Sequence, residues 1–307
     1  MRLLLLGCTG LVGRALVPLL AEAGHELVLV SRRAAVPAAG QLLQLDVLDA
    51  AAWAGDGPLA TAVAAAEAVV NLTGEPIAEK RWTPAHRALL RSSRVAVTQR
   101  LAAAISAAPV PPQVLVSGSA VGYYGTSADG CFDEDSPCGT DFLADLCRDW
   151  EAAAQAVPPA CRVVRLRTGI VLAPEGGALG RMLPLFRAGL GGPVGNGRQW
   201  MSWIDRGDLC AVIAEALVNP AWDGALNGTA PNPVTMADFC ATLGQVLARP
   251  SLLPVPAPVL QLLLGDGARV VLEGQRVLPR RLQALGFRFR YPELSAALAA
   301  ATSPERR

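Results

Sequence analysis

Lysine and histidine are scarce. Lys80 is the one lysine in 307 residues, and the histidines are His25 and His86. The seven cysteines are scattered and form no Cys-x-x-Cys pair, so zinc has few ligands to draw on and no metal site is expected. Unpaired cysteines of odd number fit free thiols in a reducing cytosol. Charged residues make up only 17% of the chain, and the formal net charge of +1 gives no global pull toward nucleic acid or an anionic membrane. No segment approaches the apolar length that spans a bilayer. Residues 1–8 superficially resemble the start of an exported lipoprotein. Their apolar run is too short for a signal h-region, and the glycine pattern continues through the would-be cleavage point. These absences leave a cytoplasmic globular protein, monomeric or homodimeric, whose partner is a small molecule.

Hydrophobic residues are abundant, 52% of the chain, enough for a large core. The stretch LLLLGCTGLVG at 3–13 organises the rest. Four leucines, too few for a helix, read as a parallel strand buried on both faces. Gly7, Gly10 and Gly13 follow at three-residue spacing, and from Leu11 the apolar residues recur at helical spacing. A strand, a glycine turn and a helix N-terminus make a phosphate cradle, where backbone N–H groups and the helix dipole meet an anion. A second buried strand, 26–30, ends in Ser31-Arg32-Arg33. In a dinucleotide fold this tip meets the adenosine ribose, where an acid selects NAD and an arginine accommodates a 2′-phosphate. Two arginines and no acid favour NADP(H).

Further strands are expected at 41–45, closed by Asp46, and at 68–71, 113–116 and 162–167. Helices are expected at 59–66, at 83–107 after the cap Thr83 and Pro84, and at 141–157 with Asp141 as cap. Arg87, Arg91 and Arg94 share one face of the second of these. The alternation predicts an α/β, Rossmann-type doubly wound parallel sheet over 1–172, rejoined by parts of 205–235, with helices on both faces. After Pro174 the alternation breaks. A cleft-covering lobe is expected over 173–253, with helices at 179–188, 206–218 and 236–247 and a loop 196–208 carrying Trp200 and Trp203. A short C-terminal helical domain follows over 254–307, with a short alternating strand at 286–291.

Motifs along nearly the whole chain resemble the extended, or atypical, short-chain dehydrogenase/reductase superfamily. Within it, the likeness is to the epimerase-like family labelled cell-division-inhibitor-like, which carries a short C-terminal domain of its own. The residues are 7–13, Ser31-Arg32, Asn71-Leu72-Thr73-Gly74-Glu75, Arg91-Ser92-Ser93-Arg94, 133–137, Trp150-Glu151, 191–193, 226–228 and 272–275. The resemblance implies Gly7, Gly10 and Gly13 under the pyrophosphate and Ser31 and Arg32 at the 2′-phosphate. It also implies Leu72, Thr73 and Gly74 along the nicotinamide-side ribose, Arg94 against the cofactor, and Ile170 and Val171 near the nicotinamide. Thr9, Leu11, Val12, Asp46 and Ser117 complete the implied cofactor-binding set.

Relatives that do redox chemistry at a sugar use a serine or threonine, a tyrosine, and a lysine four residues later that lowers the tyrosine's pKa. Ser119 matches the serine. Counting back from Glu151, the tyrosine position falls on Leu143 and the lysine position on Cys147. The best remaining acid–base candidates are Tyr123 and Tyr124 beside Ser119, with Asp205 and Cys147 behind them. Two functions are therefore open. One is an NADP(H)-binding epimerase-like oxidoreductase acting on a small carbonyl or hydroxyl compound or a nucleotide sugar. The other is a non-catalytic NADP(H)-binding regulatory or redox-sensing protein.

Overall fold

The computed structural model describes residues 1–34 and 39–303. Leu3 and Leu5 face one side of strand β1 (Arg2–Leu6) and Leu4 and Leu6 the other, all four fully buried. A run of four leucines requires this arrangement, a strand covered on both faces. Around β1 lie β2 (Glu26–Ser31), β3 (Gln41–Gln44), β4 (Ala68–Asn71), β5 (Val114–Ala120), β6 (Arg162–Thr168) and β7 (Gly224–Gly228). They form one parallel sheet in the order β7-β6-β5-β4-β1-β2-β3, the expected doubly wound Rossmann-type topology. Helices Gly13–Glu22 and Arg206–Val218 cover the Leu3–Leu5 face, and Pro58–Ala64 and Val97–Ala107 the Leu4–Leu6 face. The strand order reverses between β1 and β4, and the crevice beyond their carboxyl ends is where such sheets bind ligands.

A lobe built on helices Gly177–Arg187, Met236–Leu247 and Leu294–Thr302 packs around Phe186, Trp203 and Phe239. Leu294 and Leu298, from the expected C-terminal domain, sit in that same core. Within the expected loop 196–208, Trp203–Asp205 pairs parallel to Ile170–Leu172, and Trp200–Met201 pairs antiparallel to Val234–Thr235. Trp203 becomes a fully buried plug.

Three local expectations are corrected. Strand β5 runs on to Ala120, paired with β6 as far as Thr168, so Ser117 and Ser119 lie within the strand rather than past the end expected at 116. The helix expected at 83–107 is interrupted by a π-helical segment, Ser92–Ala96, between Pro84–Arg91 and Val97–Ala107. Residues 286–291 form no strand. The Asp208 carboxylate accepts the N–H groups of Arg290 (2.9 Å) and Tyr291 (3.0 Å), which supplies the partners a neighbouring strand would have given. Phe287 and Phe289 instead stack edge to face beside Trp222.

Candidate functional site

The first cavity, of about 240 Å³, lies over the glycine turn and is lined by Gly7, Thr9, Gly10, Arg32, Asp46 and residues 72–74. Gly7 has φ +87°, and a Cβ there would fall 2.7 Å from the Leu72 carbonyl. A Cβ on Gly13 would fall 2.3 Å from the Gly7 oxygen. Only glycine closes this turn. Among the described residues no side chain caps helix Gly13–Glu22 and no acid stands in its first turn, which leaves the positive end of its dipole uncompensated just beyond the glycine turn. Asn71 shapes the facing wall. Its Oδ1 accepts from Thr73 N (3.2 Å) and Thr73 Oγ1 (2.6 Å), and its Nδ2 donates to Thr98 (3.0 Å). At the β2 tip, Ser31 Oγ accepts from Arg33 N, while the Arg32 side chain is 71% exposed and 3.9 Å from Asp46. A glycine turn, a helix dipole without a side-chain cap and a loose guanidinium fit a dinucleotide with an extra phosphate.

The other implied cofactor residues scatter. Leu11 lies against Gly176 and Gly177, Val12 and Val171 pack on the core, Ser117 is buried, and Ile170 borders a second cavity.

That second cavity, of about 250 Å³, is walled largely by apolar side chains, among them Ile77, Trp82, Phe142, Leu146, Trp150 and Trp200. Gly74 and Arg94 separate the two cavities: a Cβ on Gly74 would fall 2.9 Å from Arg94 Cζ. Arg94 is only 7% exposed, donates to the Glu75 carbonyl at 2.9 Å, and stacks over Trp150 at 5.4 Å. Its position follows from the π segment, a geometry often found at functional sites. Burial lowers the Arg94 pKa from its ordinary value, countered by Cys147 and Glu75. Arg87 instead reaches outward to Asp266, so the three arginines do not act as one stripe.

The catalytic candidates do not meet in this cavity. Ala120 borders it, and strand alternation turns Ser119 the other way, where its hydroxyl donates to Glu151 at 2.7 Å. Arg167 clamps the same carboxylate through Nε (2.7 Å) and Nη2 (2.9 Å). Tyr124 is buried, donates to Asn227 at 2.6 Å and accepts from Arg167 at 2.9 Å. Burial pushes its phenol up to about 12, against the charge of Arg167. Tyr123 lies with its ring under the Arg167 guanidinium, 3.5 Å away. Asp205 is spent as a helix cap, accepting from Gly207 N at 2.8 Å. Leu143 and Cys147, at the positions of the missing tyrosine and lysine, do border the cavity. Burial pushes the Cys147 thiol up to about 12, which leaves it neutral.

Sequence reasoning missed Thr98, Trp82, Phe142 and Arg269, the last three lining the second cavity. Asn71, Trp150 and 272–275 stood in recognised motifs but without a role.

Fold and cradle together define a doubly wound α/β protein with a dinucleotide site. The chain belongs to the NAD dependent epimerase/dehydratase family, whose model matches residues 3–226. Residues 255–301 match a domain of unknown function, DUF1731. The chain is 46% identical over 296 residues to the chloroplastic epimerase family protein SDR39U1 homolog of Arabidopsis thaliana, covering 96% of this chain and 84% of that protein. It is 42% identical to the Homo sapiens epimerase family protein SDR39U1, over 97% of this chain and 98% of that one. The crystal structure of human SDR39U1 (isoform 2) with NADPH superimposes with a TM-score of 0.87 at 40% identity, covering 98% of this chain and 99% of that chain. No helix among the described residues is long and apolar enough to cross a membrane.

Proposed function

We propose that the protein is an NADP(H)-dependent oxidoreductase acting on a small carbonyl or hydroxyl compound. The observation that carries this reading is the wall of Gly74 and Arg94, shared by the dinucleotide cavity and a separate apolar cavity. Gly7, Gly10 and Gly13 hold the pyrophosphate, Ser31 and Arg32 the 2′-phosphate, and residues 72–74 the nicotinamide-side ribose. NADPH binding by a relative of 40% identity over 98% of the chain supports the assignment. The cofactor supplies hydride chemistry when bound. The chain's own residues position the partner beside Ile170 and exclude water with the aromatic wall of Trp82, Phe142 and Trp150.

The test is NADPH oxidation followed by absorbance against a panel of aldehydes and ketones. Substrate-dependent oxidation supports the reading; tight NADPH binding with no oxidation above background overturns it. A second reading, non-catalytic NADP(H) sensing, draws on one observation: Ser119 and Tyr124 are tied into the Glu151–Arg167 network, and Leu143 and Cys147 offer no base. It is supported if NADPH binding raises the melting temperature while the cofactor stays unconsumed.

A further inference from the structure

The apolar cavity holds one charge that nothing in its wall balances. Asp141 is spent on its helix, accepting from the N–H groups of Leu143 and Ala144 at 2.9 Å each. Glu273 is held by Arg269 at 3.0 Å and by the Thr126 hydroxyl at 2.9 Å. Ser202 donates to the Gln275 carbonyl at 2.8 Å and accepts from Val277 N at 2.9 Å. Arg94 differs. Its bonds run to the Glu75 and Leu90 carbonyls and to Ser93 Oγ, and among the described residues no carboxylate stands within ion-pair distance. The Glu75 carboxylate itself is taken by Lys80 at 2.8 Å. A guanidinium nine-tenths buried against Trp150, with no carboxylate within ion-pair distance, is costly unless an anion completes it.

Asp141, Glu273 and Ser202 are thus held within the protein, and a wall that is largely apolar offers little to the many hydroxyls of a sugar. An apolar body with one negative end matches what remains, and the planar guanidinium suits a carboxylate. We propose that the second cavity binds a small apolar carboxylate, an aliphatic or aromatic oxo or hydroxy acid, with its carboxylate on Arg94. This rests on reading that cavity as the oxidoreductase's substrate site, and adds the charge and polarity of the substrate.

The test uses the full chain saturated with NADP⁺. The probes are 4-methyl-2-oxopentanoate and phenylpyruvate, each beside its methyl ester, titrated by calorimetry and by quenching of the cavity tryptophans. The acids are expected to bind, and the esters to bind at least about tenfold more weakly. Arg94→Gln is expected to weaken the acids by at least about tenfold while leaving the esters unchanged, and Arg94→Lys to keep part of the acid preference. Equal binding of acid and ester, equal acid binding by wild type and Arg94→Gln, or binding of neither probe overturns the proposal. The acid–ester comparison on the wild type stands even if a variant does not fold. A parallel titration of the nucleotide itself separates the two readings: its failure sinks the cofactor assignment, whereas failure of the acids with NADP⁺ bound sinks only this one.

Discussion

Ser119 Oγ donates to Glu151 Oε1 at 2.7 Å, on a carboxylate that Arg167 also holds through two nitrogens. The hydroxyl that resembles a catalytic serine is thereby a strut between β5 and helix Phe142–Ala154. Ser119→Ala removes one of several donors to Glu151, so it should cost about 1–2 kcal/mol of stability and leave NADPH affinity unchanged. Glu151→Gln leaves Arg165 and Arg167 without their carboxylate and should cost about 3–5 kcal/mol. Urea denaturation beside an NADPH titration checks both. A Ser119→Ala protein of full stability but with lost carbonyl reduction would return the serine to catalysis.

Arg32 stands 71% exposed at the tip of β2, loosely paired with Asp46 at 3.9 Å. An exposed pair at that distance contributes about 0–1 kcal/mol, so Arg32→Ala should barely change stability. Its effect should fall on the cofactor. Loss of charge-assisted bonds to a phosphate should weaken NADPH by about 10–100-fold and NADH little. NADPH affinity should also fall more steeply with added salt than NADH affinity. Calorimetric titration of both nucleotides measures each effect, and equal losses for the two would refute the phosphate role.

The cradle was legible because its information is local. A buried strand, glycines where backbone touches backbone, and a helix start all lie within residues 3–13, and each rule applies without knowing the rest of the chain. The second cavity was not. Ile77, Phe142, Trp200 and Val270 converge from four distant segments, and nothing in their spacing announces that. Arg94 shows the limit most directly. Its interval from Arg87 and Arg91 marks one helix face, yet a π turn redirects it into the interior. The pattern FRFRY at 287–291 misled for the converse reason: alternation suits a strand, but Asp208 had already taken the backbone N–H groups.

Glu134 gives a pH signature. Its carboxyl is buried and accepts from Asn227 N at 3.0 Å and Arg281 N at 3.2 Å. Burial raises its pKa above the usual carboxylate value, and those backbone bonds pull it only part of the way back. A folded pKa above the unfolded one means that the native state holds the proton longer. The associated stability is fully present below the unfolded pKa and is lost as pH rises through the folded one. Wild type should therefore lose stability relative to Glu134→Gln across that interval. Urea midpoints of the two proteins, measured in steps from mildly acidic to neutral pH, give the difference directly. A difference that stays flat, or that grows in favour of wild type with rising pH, rejects the assignment.

Cys147 and Arg94 decide why the missing lysine cannot simply be put back. Each acts on the other's ionisation, and the thiol stays neutral because burial, joined by the charge of Glu151, outweighs the pull of the guanidinium. The resemblance puts a lysine at the position of Cys147; here that position is a buried thiol, and Arg94 lines the same cavity from a different helix. Cys147→Lys would set two cations in one apolar space, and the Glu151 carboxylate one helical turn away is already shared by Arg165 and Arg167. The expected cost is about 3–5 kcal/mol, with a lysine pKa driven down by burial and by Arg94. Arg94→Met removes the competing charge, so in the double variant the lysine should be tolerated better, with a favourable coupling of about 1–3 kcal/mol in a double-mutant cycle. Urea unfolding of the four proteins measures it. Strict additivity would show that the two positions do not share one electrostatic site.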